Sequence, residues 1–292
     1  MCFLLVIIFQ ICYYISMMIT DLKTALQSMK AVAAVTYKEW AAFRSHAMIS
    51  IFVGPVFYLV QMYIWTAVYA GSDSENINGM SLRDMLTYYA VTALIYYLTM
   101  DFADWNLQML VRTGKYTAYA LRPMNHMYFA FCQKLGHRLL GIIFEFTPVL
   151  VIFIFVFRIH LLPHNALYAA ASLILCFFMN FAINYAIGTA AFWLTKTDGM
   201  RNMYHLFRSV FSGSLIPLAF FPAFTHRIML YLPFPYTAYV PAMIYTGNTG
   251  FGAVSAEPAV MLAVQAAYTI IALLAAYGLY RMGMRRYTGV GA

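Results

Sequence analysis

The chain has 292 residues, of which 63% are hydrophobic and only 10% charged, and its net charge is +8. Soluble domains carry about a quarter charged residues, so this composition excludes a fold surrounded by water and predicts an all-α integral membrane protein. The positive charge is scattered through the gaps between apolar runs, which argues against nucleic acid as a partner.

Residues 1–20, MCFLLVIIFQICYYISMMIT, form a separate apolar segment. They are greasy enough to enter a bilayer but have no leading cation and no small-residue cleavage site, so they make a poor signal peptide. Three readings stay open: an extra span, an interfacial segment, or residues upstream of a start at Met17 or Met18. Residues 21–44 follow a different pattern. Leu22, Leu26, Met29, Ala33, Tyr37, Trp40 and Phe43 recur at steps of three and four, which makes one apolar stripe on a helix. With Lys23 and Lys30 flanking the stripe, this predicts a helix lying in the membrane interface; the alternative is a helix packed on a partner protein.

Six apolar runs come next, at roughly 47–70, 85–105, 127–157, 166–194, 206–224 and 259–280, each near the ~20 residues a spanning helix needs. Cations concentrate in every second gap. Lys23, Lys30, Lys38 and Arg44 precede the first run, and Arg112, Lys115 and Arg122 follow the second, with Lys134 and Arg138 close behind. Lys196 and Arg201 sit in the 195–205 gap, and Arg281, Arg285 and Arg286 in the tail. The intervening gaps hold Asp73, Glu75 and Asp84 against Arg83, then Arg158 alone, then Arg227 alone. Positively charged loops stay in the cytoplasm, so six spans with both main ends inside are expected.

No catalytic constellation accompanies the runs. The TGK at 113–115 is not a phosphate loop, because Met109 stands where the first glycine belongs and Tyr116 follows the lysine. The cysteines Cys2, Cys12, Cys132 and Cys176 lie in apolar runs without metal-ligand spacing, and His160 and His164 read as solvated loop residues. Polar groups within the runs are few. A carboxylate at mid-bilayer costs on the order of 3 kcal/mol, so Glu145 is expected either to line a pathway or to pair between helices. Asn180 and Asn184 share a helix face and are expected to join helices. Without an ATPase motif or an ion-coupling set, a transporter of this kind draws its energy from another subunit. The cationic 106–126 loop is the place for that contact: between Gly114 and Pro123, KYTAYAL has room for two helical turns. A self-sufficient secondary transporter or channel is the rival reading.

Three stretches, TYKEWAAFRSHA, RTGKYTAYALRPMNHMYFAF and PLAFFPAFTHRIMLYLPFPYTAYVPAMIYTGN, together resemble the permease subunits of ABC-2-type ABC transporters, in particular a bacterial branch of multidrug and viologen-type export. The resemblance covers residues 21–292 as one transmembrane domain and lies in order and spacing. It implies six spans per subunit, an elbow helix along the membrane, a second permease subunit, and a cytoplasmic ATPase dimer that supplies ATP and Mg, with no cofactor in this chain. It implies a bacterial plasma membrane location, contact with membrane lipid, and an export function. It also places the ATPase-coupling element at Gly114, Lys115, Tyr116, Tyr119, Leu121, Arg122 and Pro123. The apolar segment 1–20 departs from the family pattern, which begins near the elbow.

Overall fold

A computed structural model of the chain describes residues 23–39, 41–42, 44–73, 75–122, 124–194, 197–247, 250–251, 254–255 and 257–287. The 1–20 segment, Leu22, Trp40, Phe43 and Pro123 lie outside the described residues. The elements are helices α1 (23–39), α2 (Arg44–Ala70), α3 (Leu82–Thr99), α4 (Ala103–Arg112), α5 (Tyr116–Ala120), α6 (His126–Gly141), α7 (Thr147–Val151), α8 (Ala166–Gly188), α9 (Asp198–Phe211), α10 (Ala223–Leu230), α11 (Tyr239–Thr246) and α12 (Pro258–Met284). A two-stranded ribbon, β1 (Asn76–Ile77) with β2 (Met80–Ser81), turns through Asn78 and Gly79, both at positive φ. Asn-Gly is the pair a tight hairpin turn selects. A second ribbon pairs β3 (Gly250–Phe251) with β4 (Val254–Ser255).

Among the described residues, four helices are long and apolar enough to cross a membrane: Ile49–Ala70, His126–Val156, Ala166–Phe192 and Pro258–Met284. They match the first, third, fourth and sixth expected runs. The third joins α6 to α7 through a π-helical stretch at Ile142–Phe146 and ends in another at Ile152–Val156. Pro148 has no N–H to give to the preceding turn, and the Ile142 carbonyl accepts from both the N–H and the Oγ1 of Thr147, the latter at 2.7 Å. At 31 residues this helix is about 46 Å long by the α-helical rise, so it outreaches a hydrocarbon core of about 30 Å.

The second and fifth runs differ from expectation. α3 starts at a Ser81–Asp84 capping box, takes in Arg83 and Asp84, and stops after 18 residues. A break at 100–102 separates it from α4, in which the charged and polar content rises. Residues 206–224 are not one helix. α9 begins eight residues earlier than that run and ends at Phe211; Gly213 then takes φ +77°, and Pro217 and Pro222 prevent helical continuation.

Side-chain contacts gather the expected cation-rich segments at one end of the bundle. Tyr128 Oη donates to the Ala25 carbonyl of α1, Arg112 pairs with Asp198 at 3.6 Å, and Thr117 Oγ1 lies 2.9 Å from Tyr287 Oη. The other end holds Tyr69 Oη on the Met80 carbonyl, Tyr245 Oη on the Leu161 carbonyl and Tyr268 Oη on the Tyr231 carbonyl. α1 sits against α6 where Gly136 leaves room: a Cβ there would meet the Ala33 carbonyl.

Tyrosines fill much of the core. Tyr88 and Tyr89 of α3 donate to the Gly213 and Leu215 carbonyls at 2.7 and 2.9 Å, and so hold the non-helical segment after α9. Gln265 of α12 reaches the Ser172 and Tyr236 carbonyls and accepts from Ser172 Oγ at 2.6 Å. Burial in lipid gives little drive between helices, so such polar contacts do much of the specifying.

Candidate functional site

The 113–122 segment begins where α4 ends. Thr113 Oγ1 donates to the Met109 carbonyl at 2.7 Å, and Gly114 takes φ +70° with open space around it. The glycine is required by backbone conformation rather than by crowding. α5 is five residues, shorter than the two turns expected. Its first residue, Tyr116, points inward and is fully buried. The Tyr116 hydroxyl lies 3.3 Å from Tyr280 Oη and 3.0 Å from Met284 Sδ, and its ring packs on Phe192, Tyr287 and His126 at 5.1–5.2 Å. Burial, helped by the Tyr280 hydroxyl, pushes the Tyr116 pKa far up, so this anchor stays neutral.

Lys115, Leu121 and Arg122 face outward. Lys115 and Arg122 are exposed, and Leu121 is 83% exposed. The Arg122 guanidinium lies over the Tyr119 ring at 4.4 Å, and Tyr119 in turn packs edge-on against His126 and Phe129. The result is a rigid turn: Tyr116 roots it, Tyr119 braces it, and Lys115, Leu121 and Arg122 form its tip. An exposed leucine between two cations suits docking into an apolar groove with an acidic rim.

The turn is carried on α4, and α4 is tied to the bundle by charge. Asp104 Oδ2 is 2.9 Å from His205 Nε2 of α9. Asp101, just before α4, lies 3.1 Å from Lys134 Nζ of α6, with both side chains at 2–3% exposure. Lys134 also donates to the Phe177 carbonyl at 2.8 Å. One turn higher, Arg138 donates to the Tyr97 carbonyl at 2.6 Å and pairs with Glu145 at 3.5 Å. Glu145 Oε1 accepts from Ser50 Oγ at 3.0 Å, and Tyr97 Oη donates to the Ser50 carbonyl and accepts from the Gly54 N–H. Glu145 therefore pairs with Arg138 within the His126–Val156 helix, and the pair is joined to α2 through Ser50 and to α3 through the Tyr97 carbonyl.

Lys134 and Arg138, which fall within the third expected run, lie inside the His126–Val156 helix, where Asp101 from the α3–α4 break and Glu145 from their own helix neutralise them. The signal was present in sequence: Arg138 and Glu145 are seven apart, two turns along one helix face. Arg201, expected in a loop, is in the first turn of α9. Asn180 and Asn184 are both buried on α8, but Asn180 Nδ2 turns back to the Cys176 carbonyl of its own helix at 3.1 Å, and Asn184 Oδ1 has no hydrogen bond. The α8–α12 join is made instead by Ser172 and Gln265.

Comparison with curated proteins and with solved structures found no match. The family model described as "ABC-2 family transporter protein" matches residues 52–291, nearly all of the described bundle. This match covers the ion-paired spans, the rooted turn and the C-terminal helix that roots it, and on it the chain belongs to the ABC-2 transporter family.

Proposed function

We propose that the chain is the membrane-spanning permease subunit of an ATP-driven exporter, energised by separate cytoplasmic ATPase subunits that dock on the 114–122 turn. The observation that carries this reading is the turn itself: an exposed Leu121 between Lys115 and Arg122, on a backbone fixed by the buried Tyr116. A leucine flanked by two cations, on a short helix rooted by a buried tyrosine, is a surface that a groove with an acidic rim would accept. Movement of the turn would pass through α4 to α6 and α9 by the Asp101–Lys134 and Asp104–His205 pairs.

In this reading the cation-rich end faces the cytoplasm of a bacterial cell, α1 lies along the inner membrane as an elbow, and α3 and the α9 region supply the second and fifth of six spans. A second permease subunit completes the pathway. From the resemblance we carry over multidrug-type export, meaning small amphipathic molecules rather than a polymer. Co-purification with an ABC ATPase subunit co-expressed with the chain is the test. Leu121→Asp with Arg122→Glu should abolish co-purification while leaving the permease folded. Undiminished association would put the docking surface elsewhere.

A further inference from the structure

One face of α9 is polar over its whole length. Arg201, His205, Arg208 and Ser212, spaced four, three and four apart, point toward α3 and α4, as the Asp104–His205 contact fixes. Beside this face lies a cavity of about 170 Å³, lined by Thr92, Tyr96 and Thr99 of α3 and by His205, Arg208 and Ser212 of α9. Its volume exceeds that of a few waters, each of which takes about 30 Å³ in the liquid.

The charges around this cavity do not balance. Lys134 has Asp101, Arg138 has Glu145 and Arg112 has Asp198, while Asp104 meets the His205 ring at 2.9 Å. Arg208 is half-buried and, among the described residues, has neither an ion pair nor a side-chain hydrogen bond. Arg201, two turns below, likewise lacks a carboxylate, and its Nε is buried without a partner. The Thr92 and Thr99 hydroxyls donate to carbonyls of their own helix, which leaves the guanidinium as the strong donor facing the space. A half-buried guanidinium that lines a cavity with no carboxylate beside it is a place an anion can fill. Its planar set of N–H donors matches a carboxylate or phosphate.

We propose that the α3–α9 cavity binds the anionic group of an amphipathic organic anion, with Arg208 as its counter-charge. This deepens the permease reading and rests on it, by giving the cargo a charge: a viologen-type dication is the wrong sign for this cavity. The same chemistry is offered by a free organic acid and by an anionic lipid head group.

The test uses the purified full-length chain in phosphatidylcholine nanodiscs and needs no ATPase, so its outcome is separate from that of the docking test. The probe is dansylamino-undecanoic acid, with its methyl ester as neutral control and methyl viologen as cationic competitor. The acid should bind at least about tenfold tighter than the ester, the scale of one charge-assisted contact. Arg208→Gln should erase that ratio with ester binding unchanged, and Arg208→Lys, which keeps the charge but loses the planar fork, should retain only part of it. Competition by added phosphatidylglycerol would assign the site to a lipid head group, and its absence to a free acid. Equal binding of acid and ester to the unaltered chain, an acid preference that survives Arg208→Gln, or displacement of the acid by methyl viologen would each overturn the proposal.

Discussion

Lys134 Nζ and Asp101 Oδ2 lie 3.1 Å apart, and neither side chain is more than 3% exposed. This pair joins the third span to the segment that carries the 114–122 turn. Breaking such a pair strands a charge and costs about 3–5 kcal/mol, whereas replacing both partners by apolar groups is often near neutral. Lys134→Met or Asp101→Leu alone should therefore lower the melting temperature in detergent sharply, and the double variant should recover most of the loss. A double variant as unstable as the sum of the singles would mean that the two do not act as a pair.

Glu145 separates the energised permease from its self-powered rival. In Glu145→Gln the amide oxygen can still accept from Ser50, but the charge on Arg138 is no longer matched. We expect a measurable loss of stability with export retained at folded-protein levels. Complete loss of transport in a stably folded Glu145→Gln chain, with transport by the unaltered chain independent of ATP, would favour the rival.

The root of the turn can be tested apart from its tip. Tyr116→Phe removes the contacts of the hydroxyl with Tyr280 and Met284 but keeps the ring packing, and should cost about 1 kcal/mol. Tyr116→Ala removes a fully buried aromatic ring and should cost about 3–5 kcal/mol, much of it as local loosening. Hydrogen exchange of residues 113–122 should rise strongly in the alanine variant and little in the phenylalanine one.

Gly136 sets how α1 lies on α6. Because a Cβ at this position would meet backbone at Ala33, Gly136→Val has no flexible neighbour to push aside. Trypsin should then cut at Lys30 or Lys38 faster than in the unaltered chain. Unchanged cleavage would mean that α1 is held by something other than this contact.

Four spans are legible in the sequence because each is an unbroken apolar run. The fifth run is also apolar, but Gly213, Pro217 and Pro222 break it, and tyrosine hydroxyls from α3 hold the unwound backbone. Hydropathy averages over such breaks. The partner of Lys134 was not legible, because Asp101 is 33 residues away and comes near only through packing. At the candidate site, the need for Gly114 could be read directly, since a helix must end before the next begins. Which aromatic roots the turn and which braces it could not, because Tyr116 and Tyr119 differ only in what α12 and α6 bring beside them.

The most direct measurement places the tip of the turn relative to the membrane and to the ATPase. With Leu121→Cys in a chain otherwise free of cysteine, a membrane-impermeant maleimide should leave the residue unlabelled in intact cells. It should label the residue in inverted membrane vesicles, and bound ATPase should block that labelling. Labelling in intact cells, or labelling in inverted vesicles that the ATPase does not slow, would contradict a permease driven from the cytoplasm through this turn.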